Sequence, residues 1–259
     1  MRYEILGSLR ALSGNTVVTI SARKMEIVLA TLLIRADQVV SVEQLIEEVW
    51  GHAPPRRATA ALYVYISQLR KLLSPAADGA TALETRAPGY VMRIGDGELD
   101  FHAFQRRVGD GRGHFRAGRH DQARQAFQQA LALWRGPVLS DLREGPIVNG
   151  FATWIEEVRL ESVEMLNEAN LELGRHRELV SELYGLVRAH PFHEAFYRQL
   201  MIALCRSERR AEALGVYQDA RAVLNDELGI EPGPRLQRLQ LDILNAAPPA
   251  GPGDMKAAV

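Results

Sequence analysis

The sequence predicts a mainly α-helical protein whose first third also carries small β-sheets and whose remainder is all helix. Three observations lead there. Three amphipathic helical segments within the first 73 residues are preceded by strand-like alternation and followed by a hairpin signature. Beyond residue 98, apolar residues recur at helical spacing almost throughout. Within that stretch one triplet pattern returns three times.

Residues 1–20 alternate around the turn Ser13-Gly14-Asn15 and read as short antiparallel strands. Ser21 is placed to cap a helix from Ala22 to about Arg35, with Met25, Val28, Leu29, Leu32 and Leu33 on one face. After the apolar link Val39-Val40, Ser41 opens a second helix, and Gln44 three residues on completes a capping box. Val42, Leu45, Ile46, Val49 and Trp50 form its apolar side, and Gly51 ends it. Pro54-Pro55 break the chain before a third helix, from about Arg57 to Leu73. A loop with Ser74-Pro75 and Asp78-Gly79, a strand Ala82–Arg86, a turn at Pro88-Gly89 and a strand Tyr90–Ile94 complete this part.

The 259 residues are 47% hydrophobic, enough to bury the cores of one or two domains. No run approaches the ~18 apolar residues of a membrane span, and Met-Arg-Tyr-Glu-Ile-Leu does not begin like a secretory signal. The lone cysteine, Cys205, leaves no intramolecular disulfide. The expectation is a cytoplasmic, nucleoid-associated protein. A formal net charge of −1 conceals a split: residues 1–93 hold 11 Lys and Arg against 8 Asp and Glu. From Pro54 to Leu73, Arg56, Arg57, Arg70 and Lys71 face no acidic residue in the sequence. Local charge, rather than the net value, makes a phosphate-binding face.

Three helices followed by a hairpin is the order of a winged helix-turn-helix, and the third helix has two distinct faces. Leu62, Tyr65, Ile66, Leu69, Leu72 and Leu73 form the apolar one. Thr59, Ala60, Tyr63, Ser67 and Arg70, with Lys71 alongside and Arg56 and Arg57 at the N-terminal end, form the other. Small and polar residues flanked by arginines suit a helix entering the major groove, and a helix N-terminus attracts phosphate. On its own, such a helix would equally suit a solvated basic surface.

Val40-Ser41-Val42-Glu43-Gln44-Leu45-Ile46 followed by Val49-Trp50-Gly51 resembles the second helix of OmpR/PhoB-type output domains. Ile66-Ser67-Gln68-Leu69-Arg70-Lys71-Leu72 resembles their recognition helix, and Thr85-Arg86-Ala87-Pro88-Gly89-Tyr90 their wing. The resemblance implies that the outer face of the third helix reads bases. It implies that Arg56, Arg57, Arg70 and Lys71 contact phosphates or base edges and that Arg86 reaches the minor groove. Leu45, Trp50, Ile66, Leu69 and Tyr90 would be core. The segment 74–80 is longer than usual between helix and wing, and Ala87-Pro88 replace a more flexible pair. No receiver domain precedes the unit in this sequence, so no phospho-accepting aspartate is implied.

Residues 95–100 read as a junction, dividing the chain into 1–94, a helical region 98–245 and a disordered tail 246–259. In the helical region Ala123, Phe127 and Ala130, then Leu179, Leu183 and Leu186, then Ala213, Tyr217 and Ala220 share one spacing. Each triplet follows a turn: Gly118-Arg119-His120, Gly174-Arg175-His176 and Ser207 to Arg210. The last two triplets lie 34 residues apart, the tetratricopeptide period, and the first two lie 56 apart. Gly136-Pro137 and Gly145-Pro146 mark the extra segment, and Gly229, Pro232 and Pro234 precede a last helix, roughly Arg235 to Leu244.

Together the two halves resemble the Streptomyces antibiotic regulatory protein family across nearly the whole chain. Those activators join an OmpR-type winged helix to a bacterial transcriptional activation domain of tetratricopeptide-like repeats. Arg210-Ala211-Glu212-Ala213-Leu214 through Tyr217 to Leu228-Gly229-Ile230-Glu231-Pro232 resembles the end of that domain. The resemblance implies a dimer on direct repeats of double-stranded DNA upstream of a biosynthetic promoter, recruiting RNA polymerase holoenzyme. A repressor of the same architecture and a protein-interaction scaffold are the alternatives. An enzyme is not expected. No phosphate-binding Gly-x-x-x-x-Gly-Lys-Ser/Thr motif occurs, so no cofactor is implied. Gly109-Asp110-Gly111-Arg112-Gly113 reads as a turn, and His190 and His193, three apart across Pro191, read as a repeat junction rather than a metal pair. Cys205 shares an apolar face with Leu200, Met201 and Leu204 and reads as a buried thiol. Glu156, Glu157, Glu161, Glu164 and Glu168 read as a solvated helix surface.

Overall fold

The structure, a computed structural model, describes residues 1–73, 82–94 and 99–245. The expected loop through Ser74-Pro75 and Asp78-Gly79, most of the junction at 95–100 and the tail 246–259 lie outside the described residues. The chain opens with strands β1 (Arg2–Glu4), β2 (Arg10–Ser13) and β3 (Thr16–Val18), an antiparallel sheet in that order. Helix α1 (Arg23–Ile34), strand β4 (Val40–Ser41), helices α2 (Val42–Trp50) and α3 (Ala58–Leu73), and strands β5 (Leu83–Arg86) and β6 (Gly89–Met92) follow. The second sheet runs β4-β6-β5, antiparallel, with Val40 opposite Tyr90. Beyond lie helices α4 (Asp100–Arg116), α5 (His120–Leu131), α6 (Pro146–Glu172), α7 (His176–Ala189), α8 (Glu194–Arg206), α9 (Arg210–Leu228) and α10 (Pro234–Asn245). The fold is therefore mainly helical, a winged helix followed by paired helices. None of the described helices is long and apolar enough to cross a membrane.

Local rules explain much of this. Ser41 Oγ accepts from Gln44 N–H at 3.1 Å, and Gln44 Oε1 accepts from Ser41 N–H at 3.0 Å, the expected capping box. Ser21 does not cap α1: Ala22 occupies the cap and no side chain bonds the first turn. The glycine-rich 109–113 is not a turn but lies inside α4. A Cβ at Gly111 would come within 2.8 Å of the Phe127 ring, so helix packing overrides poor glycine propensity. All three repeat turns carry a left-handed residue, Gly118, Gly174 and Glu208, with φ of 70°, 74° and 66°. Eight of the nine triplet residues are buried, and Leu186 packs at the edge of the core.

Packing groups the chain into two compact units, residues 1–117 with 125–163, and residues 118–124 with the chain from 164 on. In the second, α7, α8, α9 and α10 share a core that includes Leu183, Leu200, Leu204, Tyr217 and Ile243. Asn167 and Gln199 are a fully buried pair there, 3.3 Å apart. Cys205 is half-buried, and burial pushes its thiol pKa up, away from nucleophilic use. His193 faces Glu164, and Glu168 meets Arg198, so these carboxylates are paired rather than merely solvated.

The first unit is held by two buried carboxylates. Glu48, at the end of α2, is 1% exposed. Its two oxygens accept from Ile147 N–H at 2.8 Å and Val148 N–H at 2.9 Å, the free donors of the first turn of α6. Pro146 starts that helix and has no N–H to satisfy. A Cβ at Gly145 would sit 2.2 Å from the carboxylate carbon, so glycine is required at that position. Asp100, at the start of α4, accepts from Ile5 N–H at 2.9 Å and Leu6 N–H at 3.0 Å. Across the same strand ending, Arg135 N–H donates to Leu6 O at 2.9 Å, and Leu139 N–H to Gly7 O at 2.8 Å. The segment inserted between the first two repeats thus binds the N-terminal sheet.

Burial raises the pKa of both carboxylates, and the backbone donors only partly offset it. A carboxyl with a raised folded pKa binds its proton more tightly when folded. Its contribution to stability therefore falls as pH rises from the ordinary value, 4.5 for Glu48, through the raised one. Glu48→Ala should cost roughly 2–4 kcal/mol in urea unfolding, because it strands two buried donors and leaves a void. Glu48→Gln should cost less, and its deficit should narrow as pH rises through that interval. A pH-independent deficit would show that the Glu48 carboxyl does not titrate differently on folding.

Candidate nucleic-acid interface

Helix α3 buries Ala58, Leu62, Ile66, Leu69 and Leu73 against the rest of the winged helix. This periodicity turns Thr59, Ala60, Tyr63, Val64, Ser67, Gln68 and Lys71 outward, all exposed. Tyr63 and Val64 are both 52% exposed, unusual for residues of their size. Arg56 and Arg57 stand exposed immediately before the helix, whose first turn has no acidic side chain. Trp50 stacks on Tyr65 with ring centroids 6.2 Å apart, and Lys24 Nζ lies 5.0 Å from the Trp50 ring. Trp50 is therefore half-buried between α3 and α1 rather than core, whereas Leu45, Ile66, Leu69 and Tyr90 are buried. Leu72, expected on the apolar face, is 39% exposed.

The wing is the β5–β6 hairpin, with Arg86 opposite Gly89. A Cβ at Gly89 would meet Val40 O at 1.9 Å, so only glycine lets the wing close on β4. Arg86 is exposed on the wing, its Nε 3.4 Å from Glu84. Glu84 also faces Arg93 at 3.5 Å. Burial raises the Tyr90 hydroxyl pKa, and Tyr63 adds to the effect. Between helix and wing runs an open groove lined by Val42, Tyr63, Thr85, Ala87 and Tyr90.

Arg70 differs from its expected neighbours. Its Nε donates to Leu83 O at 2.9 Å and its Nη2 to Thr85 Oγ1 at 2.7 Å, with the guanidinium 5.8 Å from the Tyr90 ring. It ties the wing to α3, at a position the sequence reading gave to a base or phosphate contact. The structure brings Arg56, Arg57, Thr59, Ala60, Tyr63, Ser67 and Lys71 onto one exposed surface, with Arg86 on the hairpin. Val64 and Gln68 belong to the same surface and were missed. They follow Tyr63 and Ser67 directly and could have been found from helical periodicity alone. Exposed cations around a face free of carboxylates can take phosphates, while hydroxyl, amide and methyl-bearing groups can meet base edges.

Residues 15–92 match the family "Transcriptional regulatory protein, C terminal", and residues 99–244 match the "Bacterial transcriptional activator domain". The chain is 39% identical over 254 residues to regulatory protein DnrI of Streptomyces peucetius, covering 96% of this chain and 93% of that one. It is 38% identical over 249 residues to regulatory protein AfsR of Streptomyces coelicolor, covering 96% of this chain but 24% of AfsR. The solved structure of Mycobacterium tuberculosis EmbR in complex with a low-affinity phosphopeptide superposes with a TM-score of 0.90 at 36% identity. That match covers 95% of this chain and 65% of the EmbR chain.

The geometry separates two adjacent basic residues. Arg70→Ala should destabilise the protein by about 1–2 kcal/mol, lowering Tm by a few degrees, because it frees the wing. Lys71→Ala should change stability by less than ~0.5 kcal/mol. Equal melting curves for the two variants would show that the Arg70 tether contributes nothing.

Proposed function

The chain belongs to the Streptomyces antibiotic regulatory protein family of DNA-binding transcriptional regulators, and from that premise we propose that it activates a secondary-metabolite gene cluster. It does so by binding direct repeats near a promoter and recruiting RNA polymerase holoenzyme. The observation that carries this reading is the outer face of α3, uninterrupted by carboxylates and bordered by Arg56, Arg57, Lys71 and Arg86. Similarity to DnrI over nearly the full length of both chains supports the family's role here. The proposed division of labour follows the sequence, with 1–94 binding DNA and 98–245 activating.

In this reading Arg56 and Arg57 hold phosphates beside the N-terminus of α3, and Lys71 holds the strand at its far end. Thr59, Ala60, Tyr63 and Ser67, joined by Val64 and Gln68, meet base edges in the major groove. Arg86 enters the neighbouring minor groove from the wing. Arg70 acts indirectly, by fixing the wing at the spacing that lets both elements engage. Two protomers lie head to tail on direct repeats about 10–10.5 bp apart, one helical turn, on one face of the duplex.

Footprinting on the promoters flanking the gene, with and without polymerase holoenzyme, tests this. Protection of tandem repeats should extend and strengthen when polymerase is added. Three phosphate-directed cations, Arg56, Arg57 and Lys71, predict that log affinity per protomer falls with log salt with a slope of about −2.7, and Lys71→Ala should reduce that slope by about 1. Protection that excludes polymerase would make the protein a repressor. Absence of protection at low salt would favour a scaffold.

A further inference from the structure

The wing carries a row of alternating charges on the face turned away from α3. Along β5, Leu83 is buried and Thr85 meets Arg70 of α3, so the alternation of a strand puts Glu84 and Arg86 on the opposite face. Arg93, one residue past β6, donates its backbone N–H to Ala82 O and joins them there. Four side chains form a ladder. Arg86 Nε lies 3.4 Å from Glu84 Oε2, Arg93 Nε lies 3.5 Å from the same oxygen, and Arg93 Nη1 lies 3.5 Å from Asp37 Oδ1. All four reach solvent, and among the described residues Arg86 has no other partner.

This arrangement sets a competitor beside the arginine proposed for the minor groove. In the free protein the Arg86 guanidinium rests on Glu84. To enter the groove it must leave that carboxylate, and Glu84 then faces phosphates of its own sign. An exposed ion pair is weak, so a strong enough potential displaces it. That potential depends on base sequence. A·T-rich tracts have a narrow minor groove of enhanced negative potential, whereas G·C pairs add the guanine amino group there. Arg93 bears on the exchange from the other side. It shares Glu84 Oε2 with Arg86, so it loosens the hold on Arg86 and leaves Glu84 a partner once Arg86 has gone.

We propose that Glu84 determines the specificity of the wing. By competing for Arg86 it confines the wing contact to A·T-rich minor grooves, and Arg93 sets the strength of that competition without touching DNA. Discrimination then comes from a charge placed against the wrong sequence rather than from a further contact to the right one. Asp37 holds Arg93 in place at the base of the hairpin. All of this requires that Arg86 enter the minor groove, the reading on which the proposal rests.

The test measures binding of the full chain to the footprinted operator duplex in two forms that differ only in the minor groove at the wing, one A·T-rich and one G·C-rich. The native chain should prefer the first. Glu84→Gln, nearly isosteric on an exposed strand, should keep the native Tm. It should bind the G·C-rich duplex about two- to fivefold more tightly, the scale of an exposed ion pair, so that the preference shrinks. Arg93→Ala should weaken the same binding, and that effect should vanish in the Glu84→Gln background. An Arg93→Ala loss that persists there would mean that Arg93 meets phosphate directly, and would overturn the ladder. A preference kept by Glu84→Gln but abolished by Arg86→Ala would overturn the proposal and leave the reading of Arg86 standing. If Arg86→Ala binds both duplexes as the native chain does, Arg86 lies outside the interface and both fall.

Discussion

A buried glutamate at the start of a helix organises this protein. Glu48 lies in the last turn of α2, the helix that precedes α3, and its carboxylate closes the first turn of α6, 99 and 100 residues further along the chain. A carboxylate out of water is tolerated only where donors replace its hydration. Here two backbone N–H groups and the positive end of a helix do so. The surrounding residues follow from that requirement. Gly145 must lack a side chain, Pro146 starts the helix without an N–H to satisfy, and α2 must end where it does. Asp100 imposes the same logic on the N-terminal sheet, whose Ile5 and Leu6 amides it accepts.

The winged helix is thus not a bead on a string. Its helices share a compact unit with α4 and the first part of α6, and the inserted segment carrying Arg135 and Leu139 binds the end of β1. That gives the long spacing between the first two repeats a physical purpose. Because α3 is held from behind, its outer face can carry Tyr63 and Val64 exposed, and Arg70 can be spent on fixing the wing.

Elements governed by local chemistry were legible in the sequence. The Ser41–Gln44 box, the apolar stripes of α1 and α3, the wing and the repeat triplets all depend on residues a few positions apart. What depended on distant partners was not. Nothing near Glu48 shows that its carboxylate is buried, and nothing near Arg70 shows that its partners lie 13 and 15 residues ahead. Gly109 to Gly113 misled because local propensity favours a turn, whereas the Phe127 ring demands a small residue inside a helix. Ser21 looked like a cap, yet the chain turns one residue later. The outward positions of Val64 and Gln68 follow from helical periodicity alone.

Native-state hydrogen exchange on the full chain tests the central claim most directly. First-turn amides of a helix normally exchange by local fraying. If Glu48 binds the winged helix and the start of α6 into one cooperative unit, the Ile147 and Val148 amides will exchange only with global unfolding of that unit. They will then share the opening free energy of the buried amides of α1 and α3. Fast exchange at Ile147 and Val148 while α1 and α3 stay protected would contradict the account and make the winged helix an independent module.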